Sequence, residues 1–309
     1  MKNEYKHGYL TLILAMLFWP LSQSNAAEHI IEMTAEKIAQ GSGDSLLAYK
    51  MVSHTVGQIN ITSRYSPVAT IPGPTIVLTE GDTVRLTIRN GINVTDQQVS
   101  VHVHGVHYKI LSDGTLKSIN KVLDEGAYPS DFYTYLWTIA PGTAGTWPYH
   151  DHNFTTHNGA EVKGLFGAVI VNPASGMVIA NSGSIITSVP VGSIKKDYVL
   201  YLGDDAFWGM DIDGSNKHQT SLGANPLLTA HYGDNVRFHL IALGTYVSEF
   251  NLRGYRWVDP GTVNLIHTKA IGPLEKHVFT IKASQSTTYE NTNFSRKLMG
   301  MKGNFRITQ

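Results

Sequence analysis

Two short stretches of the sequence each carry a pair of histidines separated by one residue. His102 and His104 lie in VHVHGVHY, and His150 and His152 lie in PYHDHNFTTH. Side chains two positions apart in a β-strand point to the same face, so each pair presents both imidazoles to one side. If the two strands are neighbours, the four imidazoles converge. Neutral imidazole binds copper, zinc and nickel, and among these copper(II) binds most tightly.

The composition limits the other kinds of chemistry that the chain can carry. There are 14 histidines but no cysteine, which excludes disulfide bonds, thiolate nucleophiles and thiolate metal ligands. The formal net charge is zero, so no strong field favours nucleic acid or an anionic membrane. We find no nucleophile motif, phosphate-binding loop or basic patch. The alternative interpretation is that the histidines are purely structural. The presence of two pairs favours a metal site.

The N-terminus has the layout of a secretory signal peptide. Lys2 and Lys6 precede an apolar run over about residues 9–21, and the small-residue site Ser24–Ala26 follows. The apolar run is short for a membrane span, although an uncleaved anchor is the alternative interpretation. We therefore expect residues 1–26 to be removed. The mature protein is then periplasmic or secreted, without a membrane span.

The remaining sequence predicts two β-rich domains. Residues 27–173 contain short alternating segments separated by turn residues, and residues 195–309 form a second region of the same kind. Residues 174–194 are rich in Gly, Ser and Pro and nearly uncharged, which indicates a linker. The segment LTAHYGDNVRFHLIA repeats the pattern of VLTEGDTVRLTIRN. This internal repeat suggests two copies of one β-sandwich.

Several segments, in their order and spacing, resemble the two-domain laccases, which are small multicopper oxidases. The matching segments are IPGPTIVLTEGDTVRLTIRN, VHVHGVHY, GTWPYHDH and GLFGAVIV in the first region, and GDNVRFHLIALGTYVSEFNLRGYRWVDPG and MGMKGNFRI in the second. The resemblance covers nearly the whole mature chain. It implies an all-β fold of two cupredoxin-like Greek-key β-sandwich domains. It also implies a homotrimer in which metal sites lie between neighbouring chains.

The resemblance implies that half of a copper cluster is retained. Laccases hold a type 1 copper on two histidines and one cysteine, and a trinuclear copper cluster on eight histidines. The four first-domain ligands of that cluster map onto His102, His104, His150 and His152. The family's second-domain ligand positions hold other residues, which are Ser248, Asn251, Arg253, Glu290, Asn291, Thr292 and Arg296. Of the type 1 site only Met299 remains, so the resemblance implies neither a blue copper nor a complete cluster.

Other residues near these positions have two interpretations each. By resemblance, Tyr108 is a redox relay and Asp113 assists proton delivery, but a buried aromatic and an ordinary Asp-Gly turn explain them equally well. His107 and His157 are either added or supporting groups of the site, or idle. In the second region, Glu290 either forms an ion pair with Arg253 or Arg296 in place of the lost metal, or serves with Asn251 as a weak oxygen ligand.

Three functions remain open at this stage. The first is an exported protein that holds one or two copper ions on the four histidines without conventional laccase activity. The second is a copper-dependent oxidoreductase with a mononuclear or dinuclear site, in which Tyr108 and Asp113 are the catalytic residues. The third is a metal-free structural or interaction module. Zinc suits the same ligands as copper.

Overall fold

The computed structural model describes residues 26–39, 45–92, 98–115, 125–152 and 163–309. Nearly all of the predicted signal peptide, residues 1–26, lies outside these residues, and so does His157. Within the described ranges, no helix has both the length and the apolar character needed to cross a membrane.

The first half of the chain forms two β-sheets. Its strands are β1 (Glu28–Ala39), β2 (Ser45–Val56), β3 (Ile59–Asn60), β4 (Thr75–Thr79), β5 (Thr83–Asn90), β6 (His102–Val103), β7 (His107–Tyr108), β8 (Phe132–Thr138), β9 (Gly145–His150) and β10 (Phe166–Asn172). One sheet has the strand order β3-β2-β1-β5-β8-β7, and the other has the order β4-β10-β9-β6. The 3-10 turns Thr62–Arg64 and Ile110–Ser112 lie between strands.

Alternating side chains bury one face of each sheet in a shared core. In β5 every second residue is buried, including Val84, Leu86 and Ile88, as its alternating sequence predicts. Large aromatic side chains, among them Tyr49 and Trp137, fill the same core. Fully burying a large apolar side chain contributes about 1.5–3 kcal/mol. The core therefore fixes which face of each strand is left to build a site.

The second half forms two larger sheets and one two-stranded ribbon. Its elements are β11 (Met177–Ser182), β12 (Ile185–Pro190), β13 (Ile194–Leu202), β14 (Phe207–Asp213), β15 (Gln219–Ala224), β16 (Leu228–His231), β17 (Asn235–Ala242), β18 (Ser248–Leu252), β19 (Trp257–Val258), β20 (Leu265–Ile266), β21 (Thr268–Ile271), β22 (Lys276–Lys282), β23 (Thr287–Asn291), helix α1 (Phe294–Leu298) and β24 (Lys302–Thr308). The sheet orders are β12-β11-β22-β17-β13-β14-β15, β16-β24-β23-β18-β21 and β19-β20. The 3-10 turn Val191–Ser193 precedes β13.

The internal repeat of the sequence corresponds to a repeat of topology. Strand β5 pairs in parallel with β1 and antiparallel with β8, and β17 pairs in parallel with β13 and antiparallel with β22. The preceding strands β4 and β16 each lie in the other sheet of their half and pair in parallel with β10 and β24. The fold is thus all-β, as predicted, and the two copies of the motif take equivalent places.

The stretch expected to be a linker is paired strand over most of its length. Within residues 174–194, β11 and β12 form an antiparallel hairpin, and β11 also pairs with β22 through Ala180 and Asn181. Gly183 at the turn has φ +60°, a conformation that glycine adopts without strain. The glycines and serines thus reflect a tight turn, while the flanking segments MVIANS and IITSVP contain the β-branched residues of strands.

The two halves share a third apolar cluster. Phe166 and Ile170 of β10 pack with Val199 and Tyr201 of β13 and with Ile241 of β17. Across the same contact, the Gln219 side chain accepts from the backbone N–H of Thr75 at 2.8 Å and donates to its carbonyl oxygen at 2.6 Å. These contacts join the halves through both apolar burial and strand-like hydrogen bonds. The division of the chain at residues 173 and 195 stays a prediction.

Candidate metal centre

Neighbouring strands bring the two histidine pairs together, which is the condition that the sequence analysis left open. Strand β6 pairs antiparallel with β9, and His102 lies directly opposite His150. The pairing continues past the end of β6, because the His104 N–H donates to the carbonyl oxygen of Pro148 at 3.0 Å. Backbone register therefore determines which imidazoles face one another.

Three of the imidazoles are close enough to share one metal ion. One ring nitrogen from each of His102, His104 and His150 lies within 4.8 Å of the other two. The Nε2 atoms of His104 and His150 are 3.3 Å apart. Two nitrogens bound at about 2.0–2.1 Å to one tetrahedral ion lie about 3.3 Å apart, so this spacing suits a shared ion.

The fourth histidine lies beside this group of three. The His152 ring centroid is 5.3 Å from that of His102 and 5.5 Å from that of His150. These separations are similar to the 5.6 Å between the His102 and His150 rings. The structure thus shows a three-histidine group with His152 next to it.

Burial keeps the His104 and His150 imidazoles neutral. Desolvation, together with the neighbouring histidines, lowers the pKa of His104 to about 4. Desolvation lowers the pKa of His150 to about 3, although the hydrogen bond to the Asp151 backbone opposes the shift. Both rings are therefore unprotonated at neutral pH, and each retains a nitrogen lone pair for a metal.

Hydrogen bonds determine which nitrogen carries that lone pair. His102 Nδ1 lies 2.6 Å from the carbonyl oxygen of Asp113, and His150 Nδ1 lies 3.0 Å from that of Asp151. A carbonyl oxygen only accepts, so Nδ1 of each neutral ring carries the proton. Nε2 is then left as the ligand atom, an arrangement that is usual for histidines that bind metals.

Tyr108 and Asp113 both lie next to His102. The Tyr108 ring centroid is 6.4 Å from that of His102, and Asp113 Oδ1 is 3.5 Å from His102 Nδ1. Burial and a hydrogen bond to Asp113 raise the pKa of the Tyr108 phenol above its usual range. His107, in contrast, is exposed, because it alternates with Tyr108 along β7.

Sequence reasoning missed the group that clamps the two histidine segments. Asp151 is fully buried, and its Oδ1 accepts from the Ser100 N–H at 2.7 Å and from the Ser100 hydroxyl at 3.2 Å. The Ser100 hydroxyl in turn accepts from the His152 N–H at 2.9 Å. The only signal in the sequence is an aspartate at the core-facing position between two histidines.

A second support lies under the turn after β6. Gly105 has φ +70°, and a Cβ atom there would overlap the Trp147 ring. Lys276, which belongs to the second half of the chain, places its ammonium 4.0 Å from the centroid of the Trp147 ring. This stack fixes the turn that carries His104.

The second-half positions where the resemblance to laccases places copper ligands also lie together. Strand β18 pairs with β23 so that Asn251 is opposite Glu290, and Arg253 Nε is 3.7 Å from Glu290 Oε1. Arg296 pairs instead with Asp204, at 3.3 Å. Of the two expected ion pairs of Glu290, the structure therefore contains the one with Arg253.

The remaining positions of this second-half set are occupied in other ways. The Asn251 amide donates to the His267 carbonyl oxygen and to the Thr268 hydroxyl, both at 2.9 Å. Ser248 and Asn291 are buried, whereas Met299 is exposed. No group of histidine, aspartate or glutamate side chains spaced to hold a metal occurs here among the described residues.

Parts of the chain are similar in sequence to known proteins. Residues 66–176 match the multicopper oxidase family model. The chain is 29% identical over 251 residues to the "Probable nitrite reductase-hydroxylamine oxidoreductase fusion protein" of Kuenenia stuttgartiensis, with 78% of this chain and 28% of that protein covered. It is 32% identical over 124 residues to copper resistance protein A of Escherichia coli, with 38% and 18% covered. The chain thus spans less than a third of either relative.

The fold comparison covers nearly the whole chain. The copper nitrite reductase structure from Nitrosomonas europaea superposes with a TM-score of 0.59 at 16% identity, covering 91% of this chain and 93% of that one. The architecture is that of two-domain, cupredoxin-like proteins. The match to the multicopper oxidase family model, over residues 66–176, includes the histidine group.

Proposed function

We propose that the protein is an exported copper-binding, multicopper oxidase-like protein that is not a conventional laccase. One or two copper ions bind to the first-half site, whose ligands are His102, His104, His150 and His152. The observation that carries the proposal is the convergence of His102, His104 and His150 from two paired strands.

The donor set fits copper. Imidazole nitrogen suits copper well, and copper(II) has the highest affinity among the divalent first-row metals for such sites. Because His104 and His150 are neutral at pH 7, binding there does not require a proton to leave. Zinc fits the same nitrogens, so the identity of the metal is part of the test. The similarity to copper resistance protein A supports a role in copper storage, delivery or tolerance.

Two features argue against conventional laccase turnover. The chain has no cysteine to form a type 1 copper site, which normally takes electrons from the substrate. Arg253 and Glu290, 3.7 Å apart, form an ion pair where the resemblance places second-domain copper ligands. We infer that this ion pair replaces metal in the second domain.

Export and assembly belong to the same proposal. The N-terminal sequence supports a cleaved signal peptide and a periplasmic or secreted location, and the resemblance to two-domain laccases supports a homotrimer. The domain limits at residues 27–173 and 195–309 follow from the sequence pattern.

A second candidate function is a copper-dependent oxidoreductase. It is favoured by the position of Tyr108 and Asp113 against His102, where a phenol and a carboxylate could move an electron and a proton. The similarity to a protein described as a nitrite reductase fusion points in the same direction. Copper would supply one-electron chemistry, while Asp113 would hold a proton beside His102.

Metal titration combined with oxygen uptake separates these functions. The mature protein is titrated with copper(II) and zinc(II) by calorimetry, and oxygen consumption is followed with ascorbate or a phenol as reductant. A binding protein takes up copper tightly and consumes no oxygen above a His102→Ala/His150→Ala control. Oxygen uptake that disappears in this control and in Tyr108→Phe would establish the oxidoreductase, whereas failure to bind copper would contradict both candidates.

A further inference from the structure

A relay of four hydrogen-bonded side chains lies within the first half of the chain, and none of its members is a candidate metal ligand. The Tyr65 hydroxyl lies 2.7 Å from His54 Nδ1, and His54 Nε2 lies 2.9 Å from His29 Nδ1. The relay ends at Asp82, whose Oδ2 lies 3.1 Å from His29 Nε2. All four side chains are buried. The proposed copper site does not account for this arrangement.

The carboxylate end sets the direction of these hydrogen bonds. The Asp82 oxygens also accept from two backbone N–H groups, at 2.8 and 2.7 Å, which holds Asp82 as an acceptor. His29 Nε2 therefore carries a proton, and Nδ1 of the neutral ring is left to accept from His54 Nε2. His54 Nδ1 then accepts from the Tyr65 hydroxyl. Each hydrogen bond of the relay thus donates toward Asp82.

The base beside Tyr65 distinguishes it from other buried tyrosines. The hydroxyls of Tyr49, Tyr149, Tyr198 and Tyr289 donate to backbone carbonyl oxygens. A backbone carbonyl accepts a hydrogen bond but does not take up the proton, whereas an imidazole nitrogen can take it up. Burial raises the pKa of Tyr65 above its usual range, so the phenol is protonated near neutral pH.

From this arrangement we propose that Tyr65 is a redox-active tyrosine, oxidised reversibly by one electron while its phenol proton passes to His54. A one-electron oxidant at the protein surface takes the electron, and the Tyr65 O–H bond breaks as an N–H bond forms at His54 Nδ1. The His54 Nε2 proton moves to His29 Nδ1, and the His29 Nε2 proton moves to Asp82. The products are a neutral phenoxyl radical, two neutral imidazoles and a protonated carboxyl group. Reduction by one electron returns each proton along the same bonds.

The relay avoids a new charge in the protein interior. A proton left on His54 would form a buried imidazolium, which burial disfavours, since it lowers the pKa of His54 to about 3. When the proton is passed on to Asp82, it neutralises the anion of the relay instead. Because buried charge is costly, oxidation of Tyr65 is easier with the relay than it would be beside a carbonyl oxygen.

Both ends of the relay border one cavity. Tyr65, His29 and Asp82 line a cavity of about 230 Å³, together with Lys217 from the second half of the chain. Tyr65 itself is only 6% exposed, so burial protects a radical there from contact with other molecules. An electron can tunnel through the edge of the ring, so the oxidant has to approach the cavity but does not have to touch the hydroxyl.

Flash oxidation of the full mature protein, without copper, tests the proposal. Ruthenium(III) tris-bipyridine, generated by a light flash with persulfate, is the one-electron oxidant, and the pH is mildly alkaline so that histidine is neutral. Transient absorption and EPR of freeze-trapped samples detect tyrosyl radicals. We expect a long-lived tyrosyl signal that is lost in Tyr65→Phe and retained in the control Tyr198→Phe. No long-lived signal in the wild type, its persistence in Tyr65→Phe or its loss in Tyr198→Phe would overturn the proposal.

The variant His54→Gln tests the role of the base. Glutamine can accept the hydrogen bond of the Tyr65 hydroxyl but does not take up its proton, so the radical should form at least about tenfold more slowly. Tyr198→Phe should keep the wild-type rate. Circular dichroism checks that each variant is folded, and an equal rate in His54→Gln and the wild type would overturn the proposal. The wild-type rate should also fall in D₂O, and equal rates in H₂O and D₂O would overturn the proposal even if His54→Gln does not fold.

Discussion

His102 lies directly opposite His150 in the β6–β9 strand pair, with the two ring centroids 5.6 Å apart. This relationship is set by backbone hydrogen bonds and by the buried Asp151–Ser100 contact, neither of which involves a metal. A slip of one residue would turn every side chain to the other face of the strand. The histidine group is therefore preorganised by the fold, and its properties can be tested through the residues that hold it.

The first prediction concerns the fourth histidine. His152→Ala should lower the affinity for copper(II) at least about tenfold, because the His152 ring adjoins both His102 and His150. His107→Ala should change the affinity less than about twofold, since that side chain is exposed on β7. Calorimetric titration of both variants measures the difference. If His152→Ala binds copper as tightly as the wild-type protein, the site has three histidine ligands rather than four.

The second prediction concerns the turn that follows β6. Gly105→Ala should release copper, because φ is +70° at this position and the added Cβ would displace Trp147 and the adjacent His104. Copper content and tryptophan fluorescence should change together. Gly142→Ala is the matched control, since Gly142 has φ +87° and open space around the added Cβ. Retention of copper in Gly105→Ala would show that Trp147 does not hold the site in place.

Two arginine–carboxylate pairs should differ strongly in their contributions to stability. Arg237→Met leaves Asp197 buried without its cation, and we expect a loss of about 3–5 kcal/mol in the free energy of unfolding. Arg253→Met should cost less than about 1 kcal/mol, because the Arg253 side chain is 66% exposed beside Glu290. Urea unfolding followed by circular dichroism measures both variants. Similar losses in the two variants would contradict the assignment of Asp197–Arg237 as the structurally important pair.

His54 should make the protein less stable in acid. Burial, followed by the effect of His29, lowers the pKa of His54 to about 3 in the folded state, whereas an unfolded histidine titrates near 6.5. Between these values only the unfolded chain binds the proton. The free energy of unfolding therefore falls by about 1.4 kcal/mol per pH unit as the pH drops from 6.5 toward 3.

The variant His54→Gln isolates this contribution. This variant loses hydrogen bonds to His29 and Tyr65, so its free energy of unfolding is lower at neutral pH. As the pH drops, however, its free energy of unfolding should fall less steeply than that of the wild-type protein, because one proton fewer is bound on unfolding. A slope in His54→Gln equal to that of the wild-type protein would contradict the lowered pKa.

The sequence was sufficient to predict the strand faces of the site. Alternation along a strand places His102 on the same face as His104, and His150 on the same face as His152. The internal sequence repeat over β5 and β17 predicts two related sheets. The pairing of β6 with β9 required the further assumption that the two segments are neighbours. The structure supplies that pairing.

Other features depend on contacts that no local pattern records. The contact between Asp151 and Ser100 joins residues 51 positions apart. The sequence of the β11–β12 hairpin also fits a linker, because glycine and serine are common both in tight turns and in flexible segments. Only the pairing of β11 with β22 distinguishes the two cases.

The most direct test of a copper site on these histidines is metal analysis together with copper EPR. The mature protein is purified beside His102→Ala/His150→Ala and the control His231→Ala, and each is loaded with copper(II). We predict one or two coppers in the wild type and the control, an EPR signal with nitrogen hyperfine splitting if a mononuclear copper(II) is present, and no intense blue absorption. The double variant should lose this copper. Equal copper content in the double variant, or no copper in the wild type, would contradict the proposed site.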